Sequence, residues 1–177
     1  FKEALQKAIA SMEIDRFGFE EVRSQNGEEI RKKLRTPNWE RVWYIAEAFR
    51  AGIELNEIYE LTRIDRWFLH NIKEIVEFEN RIENTGYEKE GIEAFSLIIK
   101  RAKVLGFSDK RLAELMNIKE TDIRKSRKEK GITAVFKRVD TCAAEFIAHT
   151  PYMYSTYENE CEAEPTEKRK IMILGGG

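Results

Sequence analysis

A chain of 177 residues holds one ordinary domain with a real core, because a chain of this length buries roughly 70% of its unfolded surface on folding. Its 31 basic and 32 acidic residues leave a formal net charge of −1, so no net field draws in nucleic acid or an anionic membrane. Uninterrupted apolar runs are a few residues long, against the roughly 20 that cross a bilayer, and two cysteines, Cys142 and Cys161, with no apolar leader point to free thiols in a reducing, cytoplasmic setting.

"FKEALQKAIASM" places Ala4, Leu5, Ala8, Ile9 and Met12 on one stripe and predicts a helix that starts at residue 1 without a cap. "NGEEIRKKLR" predicts a second helix, capped by Asn26, with acidic residues in its first turn and basic ones in its last. Its apolar stripe is only Ile30 and Leu34, so it must pack on its own domain or on another subunit. "NWERVWYIAEAFRAG" is a helix ended by Gly52, followed by a short helix over 55–61 and a longer one over 65–84 closed by Gly86. On the longer one Phe68, Leu69, Ile72, Ile75 and Val76 share a side. "GIEAFSLIIKRAKVLG" repeats the helix-then-glycine theme up to Gly106, and helices over 108–116 and 119–130 complete the series.

Laying Gly52 over Gly106 reveals an internal repeat. "GIELNEIYELTRIDRWFL" matches "GFSDKRLAELMNIKETDI", with Ile53 over Phe107, Ile58 over Leu112, Leu61 over Leu115, Ile64 over Ile118 and Leu69 over Ile123. Ile45 over Ile99 and Ala48 over Ala102 extend the match upstream. Apolar positions agree and polar ones do not, as expected where only packing constrains two copies of one unit. The predicted fold is mainly α: a helical bundle built from a duplicated helix-turn-helix unit, then an extended segment and one terminal strand. Beyond Gly131 the helical period fades, and the alternation Tyr152, Tyr154, Thr156 suits extended chain. "ENECEAEPTE" reads as a linker. "KRKIMILGGG" reads as a buried strand running into a glycine turn, the start of a phosphate loop whose helix does not follow.

Few residues invite a chemical role. The 108–130 hairpin resembles a DNA-binding helix-turn-helix, its second helix carrying Lys119, Arg124, Lys125, Arg127, Lys128 and Lys130. Glu120, Asp122 and Glu129 interrupt that face, and the repeat partner carries Trp67, Phe68 and Leu69 there, read as core, so an ordinary solvated hairpin is preferred. Cys142 and His149 could pair as nucleophile and base, but nothing marks a third member, and Cys142 reads as a small buried apolar residue. The two histidines and two cysteines show no metal-ligand spacing. The alternating acidic and basic helical residues read as solvated, compensating faces. In "FKRVDTCAAEF", Lys137, Arg138, Asp140 and Thr141 stand between apolar neighbours, so some must turn inward or across an interface, paired.

"RVWYIAEAFRAG", "TRIDRWFL", "FKRVDTCAAEF", "YMYSTYE" and "KIMILGGG", in this order and spacing, resemble the large chain of carbamoyl-phosphate synthase, across the region that joins its two homologous synthetase halves. The resemblance covers essentially the whole chain. It implies that residues 1–14 are the last helix of the carboxyphosphate half, 15–165 the oligomerisation or connection domain, and 166–177 the first strand and glycine turn, Gly175, Gly176 and Gly177, of the second half, an α/β domain outside this chain. The implied role is that of a noncatalytic spacer and oligomerisation module, without catalytic or metal-binding residues of its own. It would hold in register two ATP-grasp halves that make carbamoyl phosphate from bicarbonate, ammonia and two ATP, for arginine and pyrimidine biosynthesis. The family's parent enzyme uses Mg or Mn with ATP, and potassium, and takes ammonia from a glutaminase small chain. The implied partners are the two halves, that small chain and further copies of the protein, with no nucleic acid and no membrane. In that setting Arg138, Asp140 and Thr141 are expected to make interdomain polar contacts, and Ile30 and Leu34 to face another subunit. The competing expectation is a free-standing helical DNA-binding or adaptor protein using the 108–130 hairpin.

Overall fold

The computed structural model describes residues 1–22, 26–84, 87–173 and 175, with backbone alone at 87–94. It divides into two compact units, Phe1–Ile132 and Thr133–Gly177.

The first unit is helical: α1 Lys2–Ala10, α2 Gly27–Arg35, α3 Arg41–Arg50, α4 Leu55–Thr62, α5 Arg66–Asn84, α6 Tyr87–Leu105, α7 Asp109–Met116 and α8 Glu120–Glu129. The chain is thus mainly α, and each expected helix is present within a few residues of its predicted bounds. Asn26 caps α2, its side-chain oxygen accepting the Glu28 amide at 3.0 Å, while α1 has no side-chain cap. The expected closure of α5 by Gly86 lies outside the described residues.

The repeat is visible in the backbone. After α3 and α6 alike, a glycine takes positive φ, Gly52 at 75° and Gly106 at 97°, and the next amide reaches back to close the turn, Ile53 to the Ala48 carbonyl at 2.9 Å and Phe107 to that of Ala102 at 3.1 Å. Then α4 and α7, eight residues each, end on left-handed residues, Arg63 at φ 57° and Asn117 at φ 53°. Burial follows the same register: Ile45 with Ile99, Ala48 with Ala102, Ile58 with Leu112, and Leu69 with Ile123 are all inside.

The two glycines differ in what surrounds them. A Cβ on Gly52 would meet nothing within 4 Å, whereas one on Gly106 would lie 2.6 Å from the Glu3 Cα. The difference is α1, which seats Ile9 in the core and whose buried Gln6 donates from Nε2 to the Leu105 carbonyl at 2.9 Å.

Three sequence expectations are corrected here. Ile30 and Leu34 are 1% and 0% exposed and belong to the core of the chain's own helical unit. Two apolar residues suffice for so short a helix because one narrow stripe of α2 packs against both α3 and α4. Side chains enclosed this way offer nothing to another subunit. Trp67 and Phe68, expected as core, are 55% and 43% exposed. They occupy the first turn of α5, outside the bundle seam, and meet the Phe1 ring at steep angles, with ring separations of 5.2 and 5.3 Å. Cys142 is half-buried, on a turn rather than in a core.

The second unit is a two-stranded antiparallel hairpin, β1 Val135–Arg138 and β2 Met153–Thr156, in the register Val135 opposite Thr156 and Arg138 opposite Met153. Alternation along 152–156 correctly marks the extended chain, with Thr156 turned inward. Among its described residues Thr156 alone is buried. Residues 166–173 pair with no strand among the described residues, and Ile171, Met172 and Ile173 stand 83–87% exposed. Gly175 has φ 122°, while Gly176 and Gly177 lie outside the described residues.

Candidate interaction surface

The most elaborate polar arrangement of the second unit is where β1 leaves the ladder. The Arg138 amide donates to Glu162 Oε2 at 2.7 Å, and Lys137 Nζ meets Glu162 Oε1 at 3.1 Å and Glu160 at 3.5 Å. The Glu162 amide in turn donates to the Phe136 carbonyl at 2.7 Å, so residues around 162 run beside β1. The Arg138 amide and then the Lys137 ammonium hold the Glu162 carboxyl below its ordinary range, and the hydrogen bond to Glu162 raises Lys137.

Beyond Arg138 the loop is fastened from within. Val139 donates to the Tyr152 carbonyl at 2.9 Å, Thr150 Oγ1 to the Val139 carbonyl at 2.7 Å, and Arg138 Nη1 to the Ala148 carbonyl at 3.4 Å. Asp140 accepts from the Cys142 amide at 2.9 Å on Oδ1 and from the Ala144 amide at 2.7 Å on Oδ2. Those two bonds hold a turn in which Ala143 and Ala144 take φ of 52° and 60°, a left-handed conformation that costs a residue with a Cβ roughly 1–2 kcal/mol. Thr141 is exposed beside it, its hydroxyl 3.9 Å from the Cys142 sulfur.

Arg138, Asp140 and Thr141 are therefore brought together at one end of the hairpin, and the first two direct hydrogen bonds into the loop itself. Its apolar side chains face outward instead. Phe146 and Ile147 are 74% and 80% exposed, and Tyr152, Tyr154, Met153 and Phe136 are exposed as well. Arg138, Asp140, Phe146, Ile147, Cys161 and Glu162 border an open depression of about 490 Å³. Phe146 and Ile147 thus stand exposed beside polar groups fastened within the loop, the composition expected of an interaction surface.

The α7–α8 hairpin, weighed for DNA reading, uses its cations differently. Arg127 grips Asp109 through Nε, at 3.0 Å to Oδ1 and 2.8 Å to Oδ2, and Lys103 Nζ reaches the same carboxylate at 2.9 Å and the Phe107 carbonyl at 2.6 Å. Arg124 pairs with Glu120 at 2.5 Å. Burial lowers the Lys103 pKa against the pull of Asp109. At Asp109 burial pushes upward, yet the hydrogen bonds from Lys103 and Arg127 outweigh it and leave the carboxyl below its ordinary range. Three of the six cations proposed for phosphate contact, Arg124, Lys125 and Arg127, are thus paired with acidic groups of the chain, and Asp122 stands exposed among the others.

Sequence reasoning missed these inward charges. Lys103 and Asp109 fall on the repeat positions of Phe49 and Leu55, so a charge aligned with an apolar partner was the available signal. Glu79 continues the inward row of Ile72, Ile75 and Val76 and is buried with it, where Arg50 and Arg111 meet it. Among the described residues no three His, Cys, Asp or Glu side chains are grouped as metal ligands, and no helix is long and apolar enough to cross a membrane.

The family model described as "Carbamoyl-phosphate synthetase large chain, oligomerisation domain" matches residues 1–131. The carbamoyl phosphate synthase large chain of Archaeoglobus fulgidus is 51% identical over 180 aligned positions that cover 100% of this chain and 17% of that protein. That of Pseudomonas aeruginosa is 45% identical over 181 residues, 100% of this chain and 16% of that one. An Aquifex aeolicus protein named carbamoyl phosphate synthase large chain, N-terminal section, is 49% identical over 160 residues, 89% of this chain and 28% of that protein. The chain spans only a small part of the length of these relatives.

Proposed function

The chain belongs to the oligomerisation-domain family of the carbamoyl-phosphate synthetase large chain, and on that premise we propose that it is a noncatalytic spacer and assembly module holding two ATP-grasp halves in register. Those halves make carbamoyl phosphate from bicarbonate, glutamine-derived ammonia and two ATP, with a glutaminase small chain as the ammonia source. The reading assigns residues 1–14 to the end of the first half and 166–177 to the start of the second. Magnesium or manganese with ATP, and potassium, are assigned to the halves. Homo-oligomer formation belongs to the same proposal, and it falls to residues other than the enclosed Ile30 and Leu34.

The observation that supports this reading is the contrast between a helical unit that closes a core and a ribbon whose apolar side chains are left outside. Phe146, Ile147, Ile171, Met172 and Ile173 have the character of an interdomain surface awaiting its other side.

The test is made in the parent large chain, where Phe146→Asp with Ile147→Asp should uncouple the halves. Bicarbonate-dependent ATP hydrolysis should persist while carbamoyl phosphate formed per ATP falls at least tenfold. Unchanged coupling would overturn the role given to the ribbon, and ATP turnover by the pure 177-residue chain would overturn the noncatalytic reading.

A further inference from the structure

One carboxylate sits where the two copies of the repeat, α3–α5 and α6–α8, meet. Glu79 of α5 is 1% exposed, and both of its oxygens are taken: Oε2 accepts from Arg50 Nη2 at 2.5 Å, and Oε1 from Arg111 Nε at 3.0 Å. Arg50 is the last residue of α3, in the first copy, and Arg111 lies in α7, in the second. Further guanidinium groups are directed too. Arg50 Nη1 meets Glu47 Oε2 at 3.3 Å, Arg50 Nη2 also donates to the Phe19 carbonyl, and Arg111 Nη1 meets Glu114 Oε2 at 3.5 Å. The segment before α2 is drawn into the same place: a Cβ on Gly18 would lie 3.2 Å from the Arg111 Cγ, and the Gly18 carbonyl accepts the Trp43 indole N–H at 3.0 Å.

Two explanations compete for charges in such a site, Arg50, Glu79 and Arg111 at its centre with Glu47 and Glu114 beside them. Taking them out of water costs so much that a buried triad is commonly no more stable than well-packed apolar side chains of similar volume. Net stability is therefore a poor account of it. Orientation is a better one. Apolar surfaces tolerate small sliding and rotation, whereas a carboxylate held between two planar forks from different elements accepts essentially one arrangement. The forks here come from different copies.

We propose that Arg50, Glu79 and Arg111 form a register lock that selects a single relative orientation of the two copies and contributes little net stability. The spacer reading supplies its use, since a spacer that bends at its middle transmits no register. The lock itself is a property of the 177-residue chain and is tested there without the synthetase halves, so either reading can fail alone.

Spin labels are placed at Glu60→Cys on α4 and Lys125→Cys on α8, with Cys142→Ser and Cys161→Ser in the background, and the label-to-label distance distribution is measured by pulsed dipolar spectroscopy. In the triple variant Arg50→Met, Glu79→Leu, Arg111→Met, made together with Glu47→Gln so that no enclosed carboxylate loses its cation, the thermal midpoint should stay within a few degrees of the parent while the distribution at least doubles in width or splits. A distribution as narrow as the parent's would overturn the lock. Should the triple variant fail to fold, hydrogen exchange of Glu79→Gln decides. At least tenfold faster exchange along α5 and α7, with α4 and α8 unchanged, supports the lock. Uniform acceleration, no change, or failure of this variant to fold would make the carboxylate an ordinary structural residue and overturn it.

Discussion

Residues 1–132 and residues 133–177 use similar side chains in opposite ways. In the helical unit the apolar residues turn inward, and even charges follow them, Glu79 and Asp109 being enclosed with their cations. Every buried hydrophobic side chain among the described residues belongs to this unit. In the ribbon the charges and Asp140 shape a hairpin while Phe146, Ile147 and Ile171 face solvent. The lesson is that the helical unit has the means to fold alone, whereas a two-stranded hairpin without a core is marginal in water and gains stability from what it is laid against.

Substitutions should separate the two units sharply. The largest effect is expected from Leu34→Glu, which puts a carboxylate at a fully enclosed site and should cost about 5 kcal/mol or more. Loss of the helical signal in the far ultraviolet checks it; a folded monomer replacing a larger assembly would instead return Leu34 to an interface. Next comes Asp109→Ala, which strands Lys103 and Arg127 and should cost roughly 3–5 kcal/mol in denaturant unfolding. Gly106→Ala should follow at about 2–3 kcal/mol, since φ is positive and α1 stands in the way, whereas its repeat partner Gly52→Ala should cost about 1 kcal/mol. The smallest effect is expected in the ribbon: Phe146→Ser with Ile147→Ser should move the unfolding free energy of this chain by no more than ~0.5 kcal/mol. A loss above 2 kcal/mol there would erase the contrast between the units.

The pH dependence has the same address. Asp109 is held below its unfolded pKa, so its contribution is present above that value and is lost as pH falls through the folded one. Lys103 is also lowered, so the unfolded chain binds the extra proton between the two Lys103 values, and stability rises with pH through that window, which ends at the ordinary lysine value. Asp109→Asn should flatten the acid limb of a plot of unfolding free energy against pH.

Much of this was legible in the sequence because it is local or periodic. Glycines after α3 and α6, the Asn26 cap and the apolar register of the repeat each announce themselves within a few residues. What escaped depends on partners distant in sequence. Glu79 sits on an apolar-facing row of α5 and is held by Arg50 and Arg111, from α3 and α7; no window on any one helix shows that they converge. Trp67 and Phe68 look like core by type, and only the end of the seam at the first turn of α5 leaves them outside. Ile30 and Leu34 look too few for a core because the stripe does not reveal that α3 and α4 flank it. At the surface, Arg138 and Asp140 stand out in the sequence as polar groups among apolar ones, but that pattern does not tell whether they bond within the loop or beyond it.

Asp140 carries a last consequence, one of timing. Because its carboxylate clamps the Cys142 and Ala144 amides, the turn over 140–144 need not search for its shape even where the ribbon around it is steadied by another surface. That part of the conformational freedom is surrendered before any encounter, which lowers the ordering cost of binding at the turn.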